Sequence, residues 1–315
     1  MLLTIARRIG IFAATLVAAS IITFLMLSIL PGNAARVALG IDATEAQVAA
    51  QEQLMGLDRP LYAQFFDWFG HLLIGDFGTS TVSGQEIGPQ IGDALAITGV
   101  LVISSVILAL LFAIPMGILS AVRQNKADGV IISGISQIGI SIPGFLFGIL
   151  LVALFAVKLK WLPAGGWDDP GEDFVGFLEH LILPAIALGS VQGAVLSRYV
   201  RSSVLEVMRE DFLRTARAKG LAPNRALMRH GLRNAAIPVM TVLGLQIASL
   251  LIGAVVIERV FAIPGLGSLL LDKVALRDLP SIQGIVMVLV ALVLLLNLLI
   301  DIAYTIVDPR LRSAS

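Results

Sequence analysis

The chain has 315 residues, of which 57% are hydrophobic and 14% charged, and its mean hydropathy is +0.92. Soluble domains carry roughly 25% charged residues, so this composition excludes an ordinary water-soluble fold and points to a polytopic membrane protein. Basic and acidic residues balance at 22 each, and the lack of cysteine excludes disulfides and thiolate metal sites.

Six apolar segments are each long enough for a hydrocarbon core, which needs about 20 helical residues. A short N-terminal stretch, 1–8, carries Arg7 and Arg8 ahead of the first segment at 9–30. That run exceeds the roughly 7–15 apolar residues of a signal peptide, so it reads as a span. The others cover about 94–122, 130–157, 180–200, 236–257 and 283–307. The predicted fold class is therefore all-α and polytopic, with six transmembrane helices. A membrane core over 94–307 follows an external segment at 31–93, and 308–315 forms the C-terminal end.

Orientation follows from the bias of basic residues toward the cytoplasm. With both termini inside, 15 of the 22 lysines and arginines fall on the cytoplasmic side. The external segment 31–93 holds eight acids against Arg36 and Arg59. It also holds Tyr62, Phe65, Phe66, Trp68, Phe69 and Phe77 around a turn at Pro60. Two readings of these aromatics stand open: interfacial anchoring, or reception of a protein that delivers substrate. Two shorter external loops are expected at 158–179 and 258–282.

The cytoplasmic loop 198–235 is the most informative stretch. Between Arg198 and Arg233 lie nine of the 22 basic residues and only three acids, Glu206, Glu210 and Asp211. Val204, Met208, Phe212 and Ala216 recur every four residues with Leu205 alongside, predicting a first short helix with one apolar face. Gly220 permits the left-handed backbone that ends a helix. Pro223 suits the first position of a second helix, on which Arg225, Arg229 and Arg233 stack at four-residue spacing. Such a helix–turn–helix is a compact knob able to pass rigid-body movement from a soluble partner into the membrane helices. A basic helix pair lying on anionic lipid fits the same pattern. Nucleic acid is not an expected partner, because these basic residues sit beside the bilayer.

No H-E-x-x-H, G-x-S-x-G or G-x-x-x-x-G-K-[ST] motif is present. His71, His180 and His230 lie far apart and outside the apolar cores. The chain is thus expected to be neither an enzyme nor a nucleotide binder, and no cofactor or metal is expected within it.

The run Arg214 to Pro238, RTARAKGLAPNRALMRHGLRNAAIP, resembles the EAA loop of ABC importer permeases in its dipeptide/oligopeptide branch. The general pattern is E-A-A, three residues, glycine, nine residues, then I-x-L-P. Here Arg214-Thr215-Ala216 fills the first triplet, Arg217-Ala218-Lys219 precede the matching Gly220, and His230-Gly231-Leu232-Arg233 stands at the end. Further fragments agree in order across nearly the whole chain: Pro31-Gly32, Leu57-Asp58-Arg59-Pro60, Gly75-Asp76-Phe77-Gly78, Glu258-Arg259-Val260-Phe261, Pro264-Gly265-Leu266-Gly267, Arg277-Asp278 and Asp308-Pro309-Arg310. Asn33 departs from the aspartate expected in P-G-D-P. The long external segment after helix one resembles the B-type subunit of the permease pair.

The resemblance implies a type I importer fold in the bacterial cytoplasmic (inner) membrane. It implies a second homologous permease subunit and two cytoplasmic ATPase subunits or domains that bind ATP and Mg. It also implies an extracytoplasmic substrate-binding protein that delivers peptide. The coupling loop would comprise Arg214, Thr215, Ala216, Arg217, Ala218, Lys219, Gly220, Leu221, Pro223, Arg225, His230 and Arg233. Related permeases handle nickel chelates, glutathione and haem, so these remain alternative substrates.

Polar side chains are costly in lipid and should face protein or a wet path. Ser136, Gln137, Ser141, Gln192 and Gln246 fit a permissive path for a peptide backbone, and helix-to-helix hydrogen bonding fits them as well. Gly189 and Gly193 form G-x-x-x-G, the pattern of a close helix contact. Pro115, Pro143, Pro184 and Pro238 are expected to bend helices or mark their starts. Asp301 is expected to anchor the last helix. A self-sufficient secondary transporter would call for inverted repeats and more intramembrane ionisable groups, and an intramembrane enzyme for convergent nucleophile and base; neither is seen.

Overall fold

The computed structural model describes residues 2–29, 34–39 and 42–307. Pro31-Gly32, Asn33 and the C-terminal segment 308–315 lie outside the described residues, as does the side chain of Asp301. Among the described residues the fold is helical: α1 Leu2–Ile29, α2 Ala34–Leu39, α3 Glu45–Leu54, α4 Leu61–Leu73, α5 Ile87–Val122, α6 Ala127–Ser141, α7 Gly144–Leu151, α8 Phe174–Val207, α9 Asp211–Ala218, α10 Pro223–Ala226, α11 Leu232–Val260, α12 Leu266–Ala275 and α13 Leu279–Val307. The one β-bridge described pairs Thr79 with Glu86.

Five helices are long and apolar enough to cross a membrane: Ala6–Ile29, Ile87–Val122, Phe174–Val207, Pro223–Val260 and Leu279–Ile300. The expected third span is not a straight helix. Ala127–Ser141 and Gly144–Lys158 meet at a 101° bend, giving six spans only if this pair counts as one. Ile142 at the break is extended (φ −91°, ψ 121°), the conformation that the following Pro143 favours by crowding its neighbour. Pro115, Pro184 and Pro238 instead lie inside continuous helices. The difference lies in the surrounding sequence. Residues 127–151 carry Gly129, Gly134, Gly139, Gly144 and Gly148, each costing roughly 0.8–1 kcal/mol of helix propensity relative to alanine. A proline in that weak helix severs it.

The chain forms two compact units. One comprises 1–98 with 264–298, the other 99–263 with 299–315. In the first, Phe24 of α1 meets Phe65 and Trp68 of α4 at centroid distances of 5.5 and 5.7 Å, and Phe69 stacks on Phe65. Phe77 packs on a core of Ile87, Ile91, Ala94, Leu266 and Ile285. Five of the six external aromatics therefore make internal contacts, Phe66 through an edge contact with Phe65 although it stays exposed, as does Tyr62.

In the second unit α5 and α8 cross closely. A Cβ on Gly189 would lie 2.6 Å from the Ser105 carbonyl oxygen, and one on Gly193 would lie 3.3 Å from that of Ala109. One turn-pair further on, a Cβ on Gly117 would lie 2.6 Å from Val200 Cβ. The G-x-x-x-G pattern thus serves helix contact, as its small-residue spacing predicts. Likewise Gly244 of α11 leaves room for Ile300 of α13.

Candidate coupling surface

The expected loop 198–235 begins later than the sequence suggests. Helix α8 continues to Val207, so residues 198–207 are the end of a long helix. The expected first short helix is split: Val204 belongs to α8, a turn covers 208–210, and α9 starts at Asp211. The turn resets the helical phase, so the four-residue stripe does not persist. Phe212, expected on the apolar face, is exposed, and Leu213 is the buried residue of α9.

Helix α9 ends as the glycine predicts. Gly220 has φ +92°. Its N–H donates to the Arg217 carbonyl over 3.0 Å, and the Leu221 N–H donates to the Ala216 carbonyl over 3.2 Å. These are the two bonds of a Schellman cap, which satisfies carbonyls that the helix end would otherwise orphan. Pro223 takes the first position of α10. From there a π-helical turn, Leu227–Gly231, runs directly into α11. Its wider turn interrupts the four-residue stacking expected of Arg225, Arg229 and Arg233, although all three remain exposed.

Below this exposed rim lies a continuous apolar core. Ala121 from the end of α5, Val200, Val204 and Val207 from α8, Leu213 from α9, Ala226 and Leu227, and Ala235 from α11 are all buried together. Ala216 and Leu221 pack against them. The Ser203 hydroxyl donates to the Ala235 carbonyl over 2.8 Å, tying α8 to α11. A Cβ on Gly231 would lie 2.7 Å from Leu227 Cδ1 and within 3.4 Å of Val207 and Leu213. The knob is therefore clamped to the ends of three long helices, and a push on α9 reaches all three through close-packed side chains.

The outer face is charged. Arg214, Thr215, Arg217, Ala218, Lys219, Pro223, Arg225, His230 and Arg233 are exposed. Arg214 meets Asp211 at 3.5 Å, an exposed pair of little energetic weight. Beside α9 a cavity of about 570 Å³ is lined by Ser202, Leu205, Glu206, Arg209, Glu210 and Asp211. Acidic hollow and basic helix stand side by side, a charge pattern that gives a docking partner its register.

The polar residues proposed for a path divide. Ser136 is buried and lies 3.3 Å from Ser197 Oγ of α8, a helix-to-helix contact. Ser141 is exposed and donates to the Gln137 carbonyl within its own helix. Gln137 is exposed and Gln192 half-buried. Gln246 holds a buried Oε1 with no hydrogen-bond partner among the described residues. Sequence reasoning missed Leu213 and Ser203, and met Gly231 only as part of the run His230 to Arg233. Leu213 sits one residue off the expected stripe, and Ser203 carries no local signal.

Residues 113–313 match the family described as binding-protein-dependent transport system inner membrane component, and residues 1–94 match the N-terminal region of the same membrane component. The chain belongs to this family. It is an inner-membrane permease of an ABC importer. The glutathione transport system permease protein GsiC of Salmonella choleraesuis (strain SC-B67) is 40% identical over 306 residues, 97% of each chain. GsiC of Escherichia coli (strain K12) is 39% identical over 308 residues, 98% of each. Two solved structures share the fold. An inward-facing MetNI methionine ABC transporter matches with TM-score 0.57 and 17% identity, covering 69% of this permease and 96% of that chain. An amino acid ABC transporter with histidines matches with TM-score 0.51 and 15% identity, covering 70% and 94%. The permease thus combines family-typical sequence over its full length with an all-helical importer fold and five or six apolar helices.

Proposed function

We propose that this permease forms half of a translocation path for short peptides and is moved by force applied at its cytoplasmic knob. The observation that carries the reading is the buried core joining α9 to the ends of α5, α8 and α11. A lipid-bound helix pair would need a continuous outward apolar face; here Leu213, Ala226 and Leu227 turn inward, and Phe212 and Met228 stand exposed among charged residues. In this reading both termini are cytoplasmic and residues 214–233 dock on an ATPase. ATP and Mg bind on two such partner subunits or domains, a second homologous permease completes the path, and an extracytoplasmic binding protein delivers cargo. Closure of the ATPase pair would swing the knob and, with it, the three helices. Hydrolysis would release them.

The cargo follows from chemistry and kinship together. The residues suggested for the path, Ser136, Gln137, Ser141, Gln192 and Gln246, are neutral amides and hydroxyls, suited to peptide backbone and indifferent to side chains. The relatives named for glutathione transport support a tripeptide of that kind as the specific alternative to general di- and oligopeptides.

Gly220 provides the test. A proline there fixes φ near −65° and removes the N–H that caps α9. Gly220→Pro is expected to leave membrane insertion intact while abolishing co-purification with the ATPase and ATP-dependent peptide uptake. Gly220→Asn, which tolerates a left-handed backbone, is expected to retain most of both. Unchanged uptake in the proline variant contradicts the coupling role.

A further inference from the structure

On the first unit, a three-residue tip is held by a single buried carboxylate. Asp278, in the link between α12 and α13, is fully buried. Its Oδ2 accepts hydrogen bonds from the Ser80 and Ser281 hydroxyls, each 2.6 Å away. Its Oδ1 accepts from the Thr81 amide and hydroxyl, both at 3.1 Å. Lys273 Nζ lies 3.6 Å from Oδ2. Ser80 Oγ in turn accepts from the amides of Val82 and Ser83. The Ser80 and Gly84 N–H groups close the turn on the Gln85 and Ser80 carbonyls. The tip itself, residues 82–84, is exposed.

Next to Asp278 stands Arg277, with φ +55°. A long L-residue in the left-handed region is strained, and such strain persists where surrounding structure enforces it, often at functional surfaces. The Arg277 side chain is exposed and makes no ion pair among the described residues. Leu276, which precedes it in the chain, is 53% exposed, and Val82 of the tip is 45% exposed. The network stabilises the turn, but it is not the sole link between these helices. The core of Ile87, Ile91, Leu266 and Ile285 already joins the starts of α5, α12 and α13.

We propose that the tip 82–84, with Leu276 and Arg277, is the surface on which the delivering binding protein sits, with a carboxylate of that protein opposite Arg277. An arginine flanked by apolar side chains on a fixed backbone is the composition of an interface centre. A lipid headgroup would need no such pinned turn. The proposal rests on the importer reading above, including the external placement of this unit.

The test uses the whole complex in nanodiscs with the purified substrate-binding protein of the same transport system. Arg277→Glu is expected to weaken binding at least tenfold at low salt and to flatten its salt dependence, while Arg277→Lys keeps most of the affinity. The chain has no native cysteine, so Ser83→Cys can carry a photocrosslinker at one site, and it is expected to capture the binding protein. Both results are required. Unaltered affinity in Arg277→Glu, or no crosslink from position 83, overturns the proposal alone. A variant that loses dependence on phosphatidylglycerol but keeps its affinity marks a lipid contact and overturns it too. Absence of any binding by the unmodified complex brings down the reading in which a binding protein delivers cargo, and this surface with it.

Discussion

Ser203 of α8 donates its hydroxyl hydrogen to the carbonyl oxygen of Ala235 in α11, 2.8 Å away and out of contact with water. It joins, at the base of the knob, two helices that belong to different membrane spans. The bond contributes on the order of 1 kcal/mol, little beside the apolar core around it. Its value is directional, since it fixes the sliding register of the two helices. Ser203→Ala is expected to lower thermal stability slightly. It is also expected to raise the ATP hydrolysed per peptide imported by the reconstituted complex. An unchanged ratio removes Ser203 from the coupling route.

The α5–α8 crossing makes a second prediction. Gly189→Val places carbon against the Ser105 carbonyl, where even a Cβ would lie 2.6 Å away. Overpacking of this kind costs typically 1–3 kcal/mol, and backbone cannot move aside as a flexible side chain can. Gly134→Ala meets nothing within 4 Å and is expected to be neutral or mildly stabilising. Thermal unfolding of the two variants in detergent checks the contrast: the valine variant melts well below the parent, the alanine variant does not.

Asp278 predicts an acid limit. Burial pushes its carboxyl pKa up, but the Ser281, Ser80 and Thr81 donors outweigh burial and hold it below the usual carboxylate range. A group with a depressed folded pKa stabilises the fold above its unfolded value, about 3.9, and that stability is lost as pH falls through the folded pKa. The unit is therefore expected to hold its stability from neutral pH down to about 5 and to weaken below. Asp278→Asn removes this acid dependence. It also leaves Lys273 without its carboxylate, and breaking a buried pair costs roughly 3–5 kcal/mol. Melting temperatures between pH 3 and 7 test both parts; a parallel pH profile in the variant contradicts them.

Where the sequence spoke clearly, local chemistry and tertiary structure agreed. Gly220 and Pro223 marked a helix end and a helix start because a left-handed φ and a missing N–H are properties of single residues. Gly189 and Gly193 announced a helix contact because their spacing matches one turn. The failures share a different cause. Pro143 breaks a helix and Pro115 does not, a distinction set by the glycines spread through 127–151 and by packing that no single residue reports. Phe212 and Leu213 exchanged roles because a turn at 208–210 shifted the phase of everything after it. Asp278 went unnoticed as the centre of a buried network, for its partners Ser80 and Thr81 lie nearly 200 residues away in sequence.

In the proposed mechanism this chain is a gate without an engine of its own. Proteoliposomes containing the purified chain alone, the full complex without ATP, and the full complex with ATP and binding protein allow a direct comparison of labelled-peptide flux. Accumulation is expected only in the third set, and there Gly220→Pro abolishes it. Net uphill flux through the chain alone, with no ATP and no companion subunits, contradicts the account.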